Sequence, residues 1–207
     1  MTLNNPIEPS IEEISSAIVP TAWGEFVCHV FEDHDGVEQL TFVYGKVDGE
    51  PNVLVRVHSE CLTGDIFRSL KCDCGPQLHA SMEMIADNGQ GILVYMRGHE
   101  GRGIGIGKKI EAYSLQEQGM DTVQANEALG LPVDDRNYSV SGEMIKSLGV
   151  TSIRLITNNP AKVESLESVG VVIAERISMP TLPTVENISY LHTKNNKMGH
   201  LIDGLDD

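Results

Sequence analysis

The run IRLIT (153–157), NNPAKVESLESVG (158–170), VVIAER (171–176) decides the fold class. IRLIT is a short apolar stretch of the kind that forms a buried strand. Asn159 then stands at an N-cap with Pro160 in the first helical position, where a missing N–H is harmless. Gly170 closes that helix, and VVIAER reads as a second strand. Strand, helix, strand within 24 residues points to an α/β core. The same reading extends upstream. LTFVYG from Leu40, a turn at VDGEPN and VLVRV to Val57 follow a β-like pattern, and ILVYM (92–96) is a further buried strand. Leu78, Met82 and Ile85 recur at helical spacing up to Asn88-Gly89. Residues 108–118 form a helix stopped by Gly119, and 141–148 a helix stopped by Gly149.

Composition bounds the function. A chain of 207 residues suits one large domain and buries a sizeable core without disulfides. No run reaches the roughly 18 apolar residues that span a bilayer, so no membrane partner is expected. The start, MTLNNPIEPSIEE, has neither a basic segment nor an apolar one, and a cytoplasmic location is expected. Residues 1–19 read as a polar, extended or poorly ordered arm and 203–207 as an acidic tail, leaving 20–202 as the main domain. The net charge of −15 argues against nucleic acid, whose backbone demands a broad basic surface. A few converging Arg and Lys with a divalent cation still suffice for a small polyphosphate.

The chemistry-bearing residues cluster. Of four cysteines, Cys28 stands apart as a small hydrophobe, while Cys61, Cys72 and Cys74 are grouped as C-x10-C-x-C. Three protein ligands with a fourth position left for water is the arrangement of catalytic zinc, which brings the pKa of water to ~7. Unrelated thiols, or a structural site completed by His58 or His79, fit the spacing about as well. Strand alternation puts Arg56, His58 and Glu60 on one face leading into Cys61. In isolation that pattern also suits an exposed strand edge. The stretch from Arg97 to Lys109 holds five glycines between Gly98 and Gly107, with Arg97, Arg102, Lys108 and Lys109 as candidate phosphate ligands. It is neither a P-loop nor a dinucleotide fingerprint, and a mobile surface loop is the competing reading. Asp134-Asp135-Arg136 alone reads as a surface ion pair. Thr157 to Lys162 joins a strand to a helix N-terminus, where α/β proteins bind ligands.

Taken in order, RVHSECLTGDIFRSLKCDCGPQL, GHEGRGIGIGKKIEAYSLQEQGMDTVQAN, LPVDDRNY and LITNNPAKVESL resemble GTP cyclohydrolase II over about residues 20–202. The resemblance implies a single-domain layered mixed sheet flanked by helices. It implies zinc-dependent hydrolysis of GTP to 2,5-diamino-6-ribosylamino-4(3H)-pyrimidinone 5′-phosphate, formate and pyrophosphate, the first step of riboflavin biosynthesis. One zinc per subunit, magnesium with the triphosphate and a homodimer are implied as well. Carried over by position, Cys61, Cys72 and Cys74 are the zinc ligands. Arg56, Val57, His58, Ser59, Glu60, Gln77, Glu100, Gly101, Arg102, Thr122, Thr157 and Lys162 contact GTP. Asp134 is the proton acceptor, Arg136 the residue that attacks the α-phosphate, and Tyr113 lies near the purine. A guanidinium stays protonated at neutral pH, so charge stabilisation is an equal reading of Arg136. The segment ISMPTLPTVENISYLHTK departs from many relatives in lacking a GRNP-like turn, while Asn187, Tyr190, Leu191 and Lys194 of that segment remain. The fused dihydroxybutanone-phosphate synthase domain of some relatives is absent from these residues, and a single activity is expected.

Overall fold

Strand β4 (Val53–Ser59) is buried along both faces and organises everything around it. Its odd positions, Val53, Val55 and Val57, enter one apolar layer, and Leu54 enters the other. The chain is described here from a computed structural model covering residues 11–132, 134–181 and 183–202. In chain order the remaining elements are β1 (Ile11–Thr21), β2 (Gly24–Asp33), β3 (Glu38–Tyr44), then, after β4, α1 (Leu62–Asp65), α2 (Cys74–Asp87) and β5 (Gly91–Met96). A 3-10 turn (Glu100–Gly103), α3 (Gly105–Gln116), α4 (Thr122–Ala128) and α5 (Ser139–Ser147) follow. The chain continues through β6 (Ile153–Ile156), α6 (Pro160–Ser168), β7 (Ile173–Ile177) and α7 (Ile188–Met198).

Among the described residues the strands form one mixed sheet in the order β1-β2-β3-β5-β4-β6-β7. The β1-β2-β3-β5 half is antiparallel, and β5-β4-β6-β7 is parallel. This is the expected α/β mixed sheet flanked by helices. One face packs Val55, Val57, Ile92, Val94 and Leu155 against Met144 and Ile145 of α5 and Leu166 of α6. The other packs Leu54, Leu93 and Ile156 against Met82 and Ile85 of α2. The helices that leave β4 and β6 therefore cover opposite faces, which opens a crevice at the carboxyl ends of these neighbouring strands.

Local signals match the fold closely where they are strong. Asn159 caps α6 by accepting from the Ala161 N–H, with Pro160 at its start. The helix read over 108–118 begins earlier, at Gly105, because the preceding glycine-rich turn winds directly into it. Residues 11–19, read as part of an arm, belong to β1, paired antiparallel to β2 at the sheet edge. Their side chains are mostly exposed, so neither periodicity nor hydrophobicity announces the strand. Residues 1–10 and the tail at 203–207 lie outside the described residues. Strand β2 and helices α4 and α7 carried no sequence expectation. Helix α4 has an Asp121–Gln124 capping box, a signal that was present but unread. No helix among the described residues is long and apolar enough to cross a membrane.

The fully buried Leu155 tests the layer between sheet and α5/α6. Leu155→Ala is expected to lower the unfolding free energy in urea by about 2–5 kcal/mol. A change below half a kilocalorie would show that this layer is not the core.

Candidate functional site

The crevice holds the three clustered cysteines. Cys61 leaves β4 and precedes α1, Cys72 lies in the following turn, and Cys74 opens α2. Their sulfurs lie within 4.8 Å of one another, and Cys61 and Cys72 are 3.8 Å apart. The close approach needs glycine twice. A Cβ on Gly64 would lie 2.8 Å from the Cys72 sulfur and 3.1 Å from that of Cys61, and one on Gly75 would lie 2.3 Å from the Gly64 carbonyl oxygen. The Asp65 carboxylate fixes the loop by accepting from the Cys61 N–H at 3.0 Å and from the Tyr95 hydroxyl at 2.9 Å. His58 Nε2 is 3.0 Å from the same carboxylate, and the His79 ring packs on Trp23, so neither histidine belongs to the sulfur group.

The three thiols perturb one another strongly. Hydrogen bonds from Cys72 and Cys74, with the Lys109 ammonium, hold the Cys61 thiol far below its ordinary pKa. Cys72 is pushed up to about 11, chiefly by its hydrogen bond with Cys61, and hydrogen bonds with Cys61 and Cys72 raise Cys74 as well. Lys109 donates to the Cys61 sulfur at 3.0 Å, to the Thr63 hydroxyl at 2.8 Å and to Glu100 at 2.5 Å. The other Glu100 oxygen accepts from the Leu62 N–H at 2.6 Å, so this ion pair braces the residue next to Cys61.

Beyond the sulfurs the crevice widens into a cleft of about 1080 Å³, including its open mouth. Six cationic side chains line it, namely Arg56, Arg102, Lys109, Arg136, Lys162 and Lys194. Arg56 is buried where the apolar row of β4 gives way to polar residues; it donates to the Ile156 carbonyl at 3.0 Å and to Gln77 at 2.8 Å. Lys162 donates to the Val57 carbonyl at 2.7 Å and packs over the Tyr138 ring. Burial, then repulsion from Arg56 and Arg136, drives its pKa well below the ordinary lysine value. Arg102 adopts a left-handed backbone (φ 66°), and both terminal guanidinium nitrogens are buried without a hydrogen-bond partner among the described residues. Arg136 donates through Nε to Asp134 at 2.8 Å and through a terminal nitrogen to Ser59 at 3.4 Å. Burial would raise the Asp134 carboxyl, but the Arg136 guanidinium more than offsets it, and the net shift is downward.

The structure gathers most of the residues read from sequence. Arg56, His58, Ser59, Glu60, Gln77, Gly101, Arg102, Tyr113, Thr122, Arg136, Thr157 and Lys162 line the cleft beside the three cysteines. Val57, Glu100 and Asp134 do not. Val57 is a core side chain whose carbonyl holds Lys162, Glu100 faces Lys109, and Asp134 lines a neighbouring cavity that Arg136 shares with the cleft. The glycine-rich stretch is likewise more divided than expected. Arg97 and Lys108 turn outward to Glu38 and Glu111, which leaves Arg102 and Lys109 inside. Asp73, His99, Tyr190, Lys194 and His200 also line the cleft and were not singled out for a site role. Asp73 stands between two of the cysteines, and Tyr190 and Lys194 are retained in the family resemblance, both of which offered a clue; His99 and His200 meet the cleft through the tertiary fold.

An α/β sheet carries at its switch-point crevice a three-thiol group that could hold a metal ion, and this group opens into a cleft lined by cations. The family model described as GTP cyclohydrolase II matches residues 12–178. The chain belongs to that family. It is 51% identical over 205 residues to a "Riboflavin biosynthesis protein RibBA" of Rhodococcus jostii, covering 97% of this chain and 49% of that protein. It is 52% identical over 192 residues to a "Bifunctional riboflavin biosynthesis protein RIBA 1, chloroplastic" of Arabidopsis thaliana, covering 92% of this chain and 35% of that one. The chain thus spans half or less of the length of these relatives.

One cleft residue makes stability depend on pH. Burial, then the charges of Arg136 and Lys162, brings His99 from 6.5 down to about 4. The unfolded chain takes up this proton near 6.5 and the native chain only near 4, so acidification between these values favours unfolding. The neutral ring's contribution is complete above 6.5 and is lost on the way down to 4. Between pH 7 and pH 5 the parental chain is expected to lose about 2 kcal/mol more than His99→Gln in urea titrations. Parallel losses would remove His99 as the source.

Proposed function

We propose that this chain hydrolyses GTP to 2,5-diamino-6-ribosylamino-4(3H)-pyrimidinone 5′-phosphate, formate and pyrophosphate, the entry reaction of riboflavin biosynthesis. One observation carries the reading: in a chain of net charge −15, six cations converge on a cleft that ends in three clustered thiols. Cys61, Cys72 and Cys74 are a soft donor set suited to zinc, and three protein ligands leave a coordination position open. When bound there, zinc supplies Lewis acidity that activates water and polarises a carbonyl. The reading includes one zinc per subunit, magnesium with the triphosphate, a homodimer and a cytoplasmic location, all following the family resemblance, with no role for nucleic acid.

The chain's own groups divide the remaining work. Arg102, Arg136 and Lys162 neutralise the phosphates, with the Thr122 and Thr157 hydroxyls beside them, while Arg56, His58, Ser59, Glu60, Gln77 and Gly101 shape the rest of the nucleotide site. The polyanion also restores the charge of Lys162, which burial and like charges disfavour without it. Burial raises the pKa of Tyr113, so its hydroxyl stays protonated and is able to donate to water or to the departing formyl oxygen. Asp134 remains ionised and fixes Arg136 through two guanidinium nitrogens. A guanidinium whose pKa is raised further by this partner is a poor nucleophile, which favours stabilisation of charge building at the α-phosphate. In this reading Val57 and Glu100 act indirectly, through Lys162 and Lys109.

Purified protein incubated with GTP and magnesium should release formate and pyrophosphate in equal amounts, and a zinc chelator should abolish formate. Neither product from a zinc-replete sample would sink the reading. Cys72→Ser should lose zinc and ring opening together, and full formate release by a zinc-free variant would exclude the metal assignment. Arg136→Ala should slow pyrophosphate release by about 10²–10³-fold, the magnitude of losing one preorganised charge-stabilising donor. An unchanged rate would remove Arg136 from the reaction.

A further inference from the structure

Helix α7 begins ten residues beyond residue 178, where the family match ends, yet Tyr190 and Lys194 line the cleft. The helix is firmly seated: Leu191 is fully buried, Lys197 pairs with the α4 cap Asp121 at 2.5 Å, and the Leu201 N–H donates to the Asn158 carbonyl at 2.8 Å. Packing explains Leu191. It does not explain the polar face turned toward the cleft.

Two contacts on that face stand out. The Arg102 guanidinium lies over the Tyr190 ring at 5.6 Å, and the Lys194 ammonium lies over the same ring at 4.7 Å. Arg102 has a strained backbone and two buried, unpartnered terminal nitrogens, so the ring is the aromatic support of its charge and the nitrogens remain free for an anion. Lys194 donates to Asp73 at 2.7 Å, and Asp73 stands between Cys72 and Cys74. The second Asp73 oxygen accepts from Gln77 at 2.7 Å, and Gln77 in turn accepts from Arg56 at 2.8 Å. A continuous polar chain therefore runs from α7 past the sulfur turn to a second cleft arginine.

We propose that Tyr190 and Lys194 are positioning residues of the nucleotide site, Tyr190 aiming Arg102 and Lys194 aiming Arg56 through Asp73 and Gln77, so that both guanidinium groups meet the bound nucleotide preorganised. This rests on the reading of the cleft as a GTP site. A helix that merely packed would change stability when altered and leave ligand affinity alone. A positioning helix changes affinity while zinc stays in place.

The test uses the full, zinc-loaded chain and the non-hydrolysable analogue α,β-methylene-GTP, with affinity from calorimetry, zinc content from metal analysis and folding from thermal melts. Tyr190→Ala and Lys194→Gln should each raise Kd about tenfold at unchanged zinc content, whereas Tyr190→Phe, which keeps the ring, should stay within twofold. Should Tyr190→Ala fail to fold, Tyr190→Leu keeps apolar volume without a π face and carries the same expectation. Affinity within twofold of the parent in the folded Tyr190 and Lys194 variants would overturn the proposal, as would a Tyr190→Phe loss equal to that of Tyr190→Ala. A parent that binds the analogue without turning over GTP sinks the catalytic reading alone. A parent that turns over GTP beside variants of unchanged affinity sinks the positioning roles alone.

Discussion

Three sulfurs meet in this protein because two glycines let two helix starts touch. Gly64 in α1 leaves room for the sulfurs of Cys61 and Cys72, and Gly75 in α2 rests on the Gly64 carbonyl. A methyl group at either position would intrude on sulfur or on backbone, and backbone cannot turn aside as a side chain can. The rest of the site is arranged around this contact. Asp65 ties the first helix to His58 and Tyr95, and Lys109 with Glu100 braces Cys61 from α3 and the 3-10 turn. Asp73 anchors the second helix start to α7.

The second organising fact is a conflict of charge. An acidic chain concentrates six of its fifteen cationic side chains in one cleft, where like charges repel and burial penalises each of them. Three acids answer part of it: Glu100 for Lys109, Asp73 for Lys194 and Asp134 for Arg136. Arg56 and Lys162 rely on carbonyls and an amide, and the Arg102 guanidinium on an aromatic ring. Burying cations without full compensation sacrifices stability, and a site preorganised for an anion accepts that loss in return for affinity.

How much of this was legible beforehand follows from the range of each signal. The α6 start was readable because Asn159 and Pro160 act on neighbouring backbone. Buried strands were readable because an apolar run has one economical placement in an α/β sheet. Strand β1 was not, because its exposed side chains carry no periodic burial and its pairing with β2 is a contact between segments. Within the site, the cysteine spacing left a catalytic zinc centre, a structural one and unrelated thiols nearly level. The folded chain brings the three thiols together and turns His58 to Asp65 and His79 to Trp23, away from them.

The sequence by itself determined the α/β class, the capped start of α6, the grouping of cysteines and the family, because each resides in local spacing or in the order of motifs. Only the tertiary structure decided which charges share the cleft. Arg97 and Lys108 stand in the same glycine-rich stretch as Arg102 and Lys109, yet the first two face Glu38 and Glu111 outside and the others enter the site. Tyr190 and Lys194, distant in the chain, arrive there on a helix whose local pattern carries no sign of it. Orientation of a side chain is set by what the rest of the fold packs against it, and that information is spread over contacts between segments far apart in the chain.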